Sequence, residues 1–458
     1  HSSQEVGNAW WSLNILFHYN ISLFSSGCRS SSMLRGTSKA SFYYLQRLGQ
    51  RQVARTTPSV AATGSLVNVR WASSLSSPIL STKACWDAMT PATQKLAETI
   101  IAKGTPTDDH ANDSYWLQKR VALSRAITLM ESKNQEKKQQ GDYLLTYLLS
   151  QRDTPTNLST TLRVGFAGPP GAGKSSLLEA FGMYLLEHDP NLQLAVVCID
   201  PSSGISGGSI LGDKTRMTDL SRQDRAYVRP SSNAGVLGGL SAYTDDVVTT
   251  LGAAGYPLIL VETVGLGQSE IEVFESVDVL VLLLPPGGGD ELQGVKKGIV
   301  EMANILAVTK ADGSLLETAK ATAADYRGAI NVLQQSNSSG GTDKASVWKP
   351  RVLLTSSYTK DGLDKLWQSI QDYRDHLEKS GRWESKRQKQ AKYWMWKQFT
   401  RMMQQRMQDD PILAGQANLL ESELLKGHLT PRVAAQELLD SLFRRIEEKD
   451  DGKNGSSH

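Results

Sequence analysis

Cysteine is scarce, with three in 458 residues, and Cys28, Cys85 and Cys198 stand far apart. This excludes a disulfide framework and any Cys-x-x-Cys metal or redox site, and it fits a reducing compartment. The seven histidines are dispersed, so direct carriage of nickel or a similar metal is not expected. Long apolar runs are also missing. The stretch from Ala9 to Phe24 is interrupted by Ser12, Asn14, His18 and Asn20, and falls short of the roughly 18 residues that a membrane-spanning helix needs. No membrane partner is expected. Acidic residues are absent from Met33 to Trp86, and residues 1 to 86 carry eight basic side chains against the single Glu5. Set against totals of 50 basic and 47 acidic residues, this leaves the remainder slightly acidic. The positive charge sits in a flank and not on a folded face, which argues against a nucleic-acid partner.

In that flank Arg recurs among Ser, Thr, Ala and scattered apolar residues, the composition of a mitochondrial transit peptide. A cationic amphipathic segment is drawn across a membrane that is negative inside, and acids would oppose the pull. The sequence predicts a disordered flank over 1–86 whose address begins at Met33, residues 1 to 32 lying upstream of the natural start, and a mature protein in the mitochondrial matrix.

From Asp87 to about Arg152, Leu117, Val121, Ala122, Ile127 and Leu129 recur at three- and four-residue spacing, which predicts a helical segment over 87–160. Apolar runs then follow at 162–167, 194–199, 258–261, 277–284, 305–308 and 352–354. They read as buried parallel strands alternating with helices, a doubly wound mostly parallel α/β domain over 161–376. From 377 to 450 the pattern is helical again. Trp396, Phe399, Met403 and Met407 form one apolar stripe, and Ala435, Leu438, Leu439, Leu442 and Ile446 form another after Thr430-Pro431, a helix cap and first turn. Such an extension either folds back on the core or meets a partner subunit. Residues 451–458 read as a tail.

Gly168-Pro169-Pro170-Gly171-Ala172-Gly173-Lys174-Ser175 matches the phosphate-binding loop G-x-x-x-x-G-K-[ST], placed between a predicted strand and a predicted helix that takes in Ser176. Glycines let backbone N–H groups converge on a β-phosphate, Lys174 reaches the β- and γ-phosphates, and the Ser175 hydroxyl is placed to bind magnesium. Thr309-Lys310-Ala311-Asp312 follows another predicted strand, in the place of the GTPase pattern [NT]-K-x-D. Asp312 can accept from N1–H and the 2-amino group of guanine, a donor pair that adenine lacks, so GTP is favoured over ATP. Ser356-Ser357-Tyr358 comes after the last strand, where a backbone N–H meets guanine O6.

Val261-Glu262-Thr263-Val264-Gly265 stands where GTPases carry D-x-x-G. Gly265 N–H is placed for the γ-phosphate, and Glu262 takes the acidic position, with a longer side chain suited to holding magnesium through a water. Leu266 occupies the position of the water-orienting Gln, the nearest glutamine being Gln268, so intrinsic hydrolysis is expected to be slow. Asp200 and Asp213 are further candidates for magnesium or its waters. The segment from Pro285 to Gly298 is glycine-rich with paired acids and lysines, and is costly to order.

These stretches together resemble one family, the GTPases of the methylmalonic aciduria type A protein and its bacterial MeaB/ArgK relatives. The carrying segments are GPPGAGKSS from Gly168, IDPSS from Ile199, GGSILGDKTRM from Gly207, VETVGLGQSE from Val261, GGGDELQGVKKG from Gly287, TKADG from Thr309 and KYWMW from Lys392. The resemblance implies a homodimeric SIMIBI-class GTPase, joined through its C-terminal helices, that binds GTP or GDP with magnesium. It further implies a chaperone of adenosylcobalamin-dependent methylmalonyl-CoA mutase, gating cofactor loading and replacement, with at most an indirect link to the enzyme that delivers adenosylcobalamin. By position, Asp200, Asp213 and Glu262 would organise magnesium and the attacking water, and residues 207–217 and 262–270 would be the first two switches. Residues 290–297 would be a third switch facing the mutase, with Lys296 as a partner-triggered cation. Two other readings use the same loop: a small-molecule kinase of the ArgK-labelled type, against which Thr309 to Asp312 argue, and a GTP-bound scaffold that works by conformation alone.

Overall fold

In the computed structural model, seven short runs form strands among the described residues: β1 (Leu162–Ala167), β2 (Leu194–Ile199), β3 (Ala226–Ser231), β4 (Leu258–Glu262), β5 (Val279–Leu284), β6 (Ile305–Val308) and β7 (Arg351–Leu354). The structure describes residues 82–102, 109–132, 134–151, 161–199, 217–231, 244–263, 269–287, 297–337 and 348–454. Every described residue belongs to one compact unit, Ser76–His458. The basic flank, apart from residues 82–86, and the start suspected at Met33 lie outside the described residues.

The strands make one parallel sheet in the order β3-β2-β4-β1-β5-β6-β7. A parallel sheet is covered on both faces, which is why β5 reads VLVLLL with every residue buried. Side chains alternate between two apolar layers. Leu162, Val164 and Phe166 of β1 pack with Leu177, Leu178 and Phe181 of α5 (Lys174–His188). Ile259 and Val261 of β4 face the other way, toward Val247, Val248 and Leu251 of α7 (Thr244–Ala253).

The helical N-terminal segment consists of α1 (Thr82–Ala88), α2 (Pro91–Ile101), α3 (Asp109–Met130) and α4 (Gln135–Ser150). It adds Leu123, Ile127, Leu144 and Leu148 to that second layer. Its first helix begins at Thr82 with Cys85 buried, five residues before the boundary expected at 87. The remaining helices are α6 (Thr218–Arg222), α8 (Ser269–Phe274), α9 (Lys297–Met302), α10 (Leu316–Asn337), α11 (Leu363–Lys379), α12 (Arg382–Asp409), α13 (Pro411–Leu425) and α14 (Pro431–Asn454). Thr430 caps α14 as expected, its Oγ1 accepting from Val433 N at 3.4 Å. That helix runs four residues into the stretch read as a tail.

Two strand expectations need correction. β3 has no counterpart among the expected runs: it is an edge strand whose Arg229 and Pro230 break the apolar pattern, and proline is tolerated there because an edge position can lack its N–H. β5 starts at Val279 and not at 277, because Asp278 serves as an anchor. The Asp278 carboxylate, 1% exposed, accepts from Arg163 Nη2 at 2.8 Å and from Arg387 Nη2 at 2.7 Å. Burial alone would raise its pKa, but the two guanidiniums outweigh that and hold it well below the usual carboxylate range.

The same contacts tie α12 to the sheet. Gln390 Nε2 donates to Val277 O at 2.8 Å, Trp394 Nε1 donates to Glu275 O at 2.9 Å, and Lys397 pairs with Glu272 of α8. The extension therefore folds onto the core along one side of α12. Trp396, Phe399 and Met402 remain exposed on the other.

Candidate phosphate and base site

The C-terminal ends of β1, β4, β6 and β7 bring the motifs to one rim of the sheet, the position at which open α/β sheets take ligands. After Ala167 the chain turns at Gly168, where a Cβ would stand 2.6 Å from Leu283 O of β5, so only glycine fits against that neighbouring strand. Ala172 N closes the turn on Pro169 O at 3.2 Å. Gly173 has φ of 81°, in the left-handed region, and α5 begins at Lys174. The N-terminus of a helix turned this way offers N–H groups and a partial positive charge to phosphate.

Lys174 is buried, and its Nζ donates to Gly168 O at 2.8 Å and to Pro169 O at 3.1 Å. Ser175 Oγ donates to Glu262 Oε1 at 2.6 Å. Residues 166 and 262 are paired in the ladder between β1 and β4, so the sheet itself sets the acid beside the loop. Hard oxygen donors in this arrangement, a hydroxyl and a carboxylate facing each other, suit a magnesium ion. Ser176 is exposed in the first turn of α5.

The base motif is joined to the phosphate loop. Thr309 Oγ1 donates to Ala172 O at 2.7 Å, so this hydroxyl braces the loop from below. Lys310, at φ of 52°, lays its side chain beside Gly173. Ser356 Oγ donates to Asp312 Oδ2 and in turn accepts from Tyr358 N and Thr359 N, both at 3.1 Å. A carboxylate accepts up to about four hydrogen bonds, so one from Ser356 leaves capacity for guanine's two donors. Ser356 N is bound to Asp361 O at 3.0 Å. The N–H groups of Ser356 and Tyr358 are thus both committed within the segment. Tyr358 itself is 90% exposed beside this loop.

Asp200, Asp213, Gly265 and Lys296 lie outside the described residues, as do most of the three expected switch segments. Among the described candidates the structure thus brings together Gly168, Gly171, Ala172, Gly173, Lys174, Ser175 and Glu262 on one side, and Thr309, Lys310, Asp312, Ser356, Ser357 and Tyr358 on the other. Two braces escaped sequence reasoning. The link from Ser356 to Asp312 spans 44 residues and that from Thr309 to Ala172 spans 137, distances at which no sequence pattern announces a hydrogen bond.

Comparison with known proteins agrees with this geometry. Residues 123–411 match the family described as "Methylmalonyl Co-A mutase-associated GTPase MeaB". The chain is 41% identical over 330 residues to the mitochondrial methylmalonic aciduria type A homolog of Mus musculus, covering 71% of this chain and 77% of that one. It is 41% identical over 279 residues to the GTPase ArgK of Escherichia coli, covering 61% and 80% respectively. A crystal structure of an LAO/AO transport system kinase superposes with a TM-score of 0.53 at 29% identity, covering 74% of this chain and 99% of that one.

Proposed function

The chain belongs to the MeaB family of methylmalonyl-CoA mutase-associated GTPases, and from that membership we propose a GTP cycle that serves an adenosylcobalamin-dependent methylmalonyl-CoA mutase in the mitochondrial matrix. The observation that carries the nucleotide part is the pairing of a phosphate loop with an Asp312 carboxylate held by Ser356. In this reading residues 161–376 form the GTPase domain, 87–160 a helical cover, and 377–450 an extension through which two copies pair.

Lys174 exchanges its two carbonyl partners for the β- and γ-phosphates, for which its charge is better matched. Ser175 and Glu262, with Asp200 and Asp213, would hold magnesium, which when bound neutralises charge on the phosphate oxygens. Asp312 selects guanine, and Ser357 N–H meets O6. Leu266 supplies no hydrogen bond to an attacking water, so hydrolysis is slow until the mutase engages the third switch and Lys296 serves as the cation at the phosphates. Loading and renewal of the mutase cofactor follow from that partner-dependent step. The kinase reading is disfavoured by the guanine-selective carboxylate.

The test is the steady-state GTP hydrolysis rate of the full chain with and without methylmalonyl-CoA mutase, with ATP as the control. A rise of about tenfold or more for GTP alone, about 1.4 kcal/mol off the barrier, is expected. A rate indifferent to the mutase would remove the partner from this reading, and equal turnover of ATP would remove the guanine specificity.

A further inference from the structure

Between residues 161 and 376 only three large apolar side chains are exposed among the described residues: Leu315, Val332 and Tyr358. Two of the three flank the carboxylate assigned to guanine. Leu315 N donates to Asp312 O at 3.1 Å. Tyr358 N donates to Ser356 Oγ at 3.1 Å, and that hydroxyl donates in turn to Asp312 Oδ2. Of all the large apolar side chains described, that of Tyr358 is the most exposed.

The backbone beneath that ring is fixed. Ser356 N donates to Asp361 O at 3.0 Å, Thr359 N donates to Ser356 Oγ at 3.1 Å, and Thr359 Oγ1 donates to Asp361 Oδ2 at 2.6 Å. Gly362, with φ of 76°, ends the turn where a Cβ would stand 2.0 Å from Leu354 O. The Tyr358 side chain takes part in none of this, so the turn does not need an aromatic residue at 358. The nucleotide does have a use for one. Asp312 reads the edge of the base, which leaves both faces of the purine bare. An aromatic ring stacks on any base because every base has a π face, and a flat ring matches that face as the branched chain of Leu315 does not. Tyr358 N stands two hydrogen bonds from the Asp312 carboxylate, a distance comparable with the length of a tyrosine side chain.

We propose that the ring of Tyr358 is a platform for the nucleotide base, stacked on one face of the guanine whose edge Asp312 holds. Stacking of this kind adds affinity without choosing the base, so selection stays with Asp312. It serves GDP and GTP alike, because both carry the same base. This rests on the guanine reading given above.

The test titrates the full chain and three variants with GDP and with a non-hydrolysable GTP analogue. Tyr358→Ala removes the platform and is expected to weaken both nucleotides by the same factor, about five- to fiftyfold. Tyr358→Phe keeps the ring without its hydroxyl and is expected to bind both as the wild type does. Tyr358→Trp keeps a platform and adds a reporter, whose fluorescence is expected to be quenched by GDP beyond any change in the wild type. Without nucleotide, the alanine variant is expected to melt at the wild-type temperature. The proposal is overturned by an alanine variant with wild-type affinity for both nucleotides, and the ring then belongs to a protein partner if binding of the mutase is what weakens. It is overturned equally by a phenylalanine variant as impaired as the alanine one, by a loss confined to one of the two nucleotides, or by a lower nucleotide-free melting temperature, since the ring would then serve the turn. A wild-type chain that binds no guanine nucleotide defeats the guanine reading itself, and the proposal with it.

Discussion

Arg387 of α12 clasps Asp278 at the foot of β5, with Nη2 2.7 Å from Oδ2 and Nε 3.0 Å from Oδ1. Arg163 of β1 holds the same carboxylate from the other side, and Lys386 Nζ reaches the Asp278 carbonyl at 2.5 Å. A carboxylate fixed this way is what lets two guanidiniums lie in a largely buried place at all. Asp278→Asn would leave both facing a neutral amide, and breaking a buried pair costs about 3–5 kcal/mol. Urea denaturation at neutral pH measures this, and a loss of less than ~1 kcal/mol would show that the clasp is dispensable. Because the native pKa is held low, the contribution of Asp278 is present at neutral pH and disappears only as the pH falls below about 4.

Asp246 shows the opposite sign. Burial, then the neighbouring charges of Asp245 and Asp142, push its pKa up from 3.8 to about 7, against a counteracting pull from Arg401 and Lys138. Between those values the native chain keeps a proton that the unfolded chain has lost, so stability falls as the pH rises from about 4 to about 7. Asp246→Asn is expected to raise the melting temperature at pH 8 and to flatten the profile through that window. Parallel profiles for the two proteins would contradict the shift.

In the reading proposed above, guanine selection rests on a single carboxylate, that of Asp312. Asp312→Asn exchanges an acceptor for a group that also donates, and the charge-assisted bonds to N1–H and the 2-amino group are lost. GTP affinity is expected to fall about 10- to 100-fold, while xanthosine triphosphate, which carries a carbonyl at that ring position, gains. Titration with both nucleotides checks this, and undiminished GTP binding would place the base elsewhere.

The exposed stripe on α12 makes a separate prediction. Phe399, 52% exposed, lies on the side of the helix not used by Trp394 and Gln390. If two copies pair through it, Phe399→Glu shifts the mass in sedimentation from dimer to monomer at an unchanged single-turnover rate of GTP hydrolysis. A wild-type chain that sediments as a monomer would rule that pairing out.

The strands were legible where burial on both faces leaves a continuous apolar run, as in Val279 to Leu284, and the nucleotide residues where backbone chemistry demands a fixed spacing, as from Gly168 to Ser175. β3 was not, because Arg229 and Pro230 suit an edge that has only one paired side. The clasp on Asp278 was hidden for a different reason. Its two arginines lie 115 residues before it and 109 after it, and only the folded sheet puts them side by side.

The strand order also governs the sequence of events during synthesis. β1 lies between β4 and β5, so Leu162 pairs with Leu258 and Val164 with Val279, about a hundred residues downstream in each case. A nascent chain has its entire phosphate loop by residue 175, yet has nothing on either side of β1 to hold that loop in shape. Such non-local pairings are slow to form. Nucleotide binding is thus acquired late, only once residue 358 and the base motif before it have emerged, and from then on GTP stabilises the closed sheet by an amount that grows with the logarithm of its concentration over its dissociation constant.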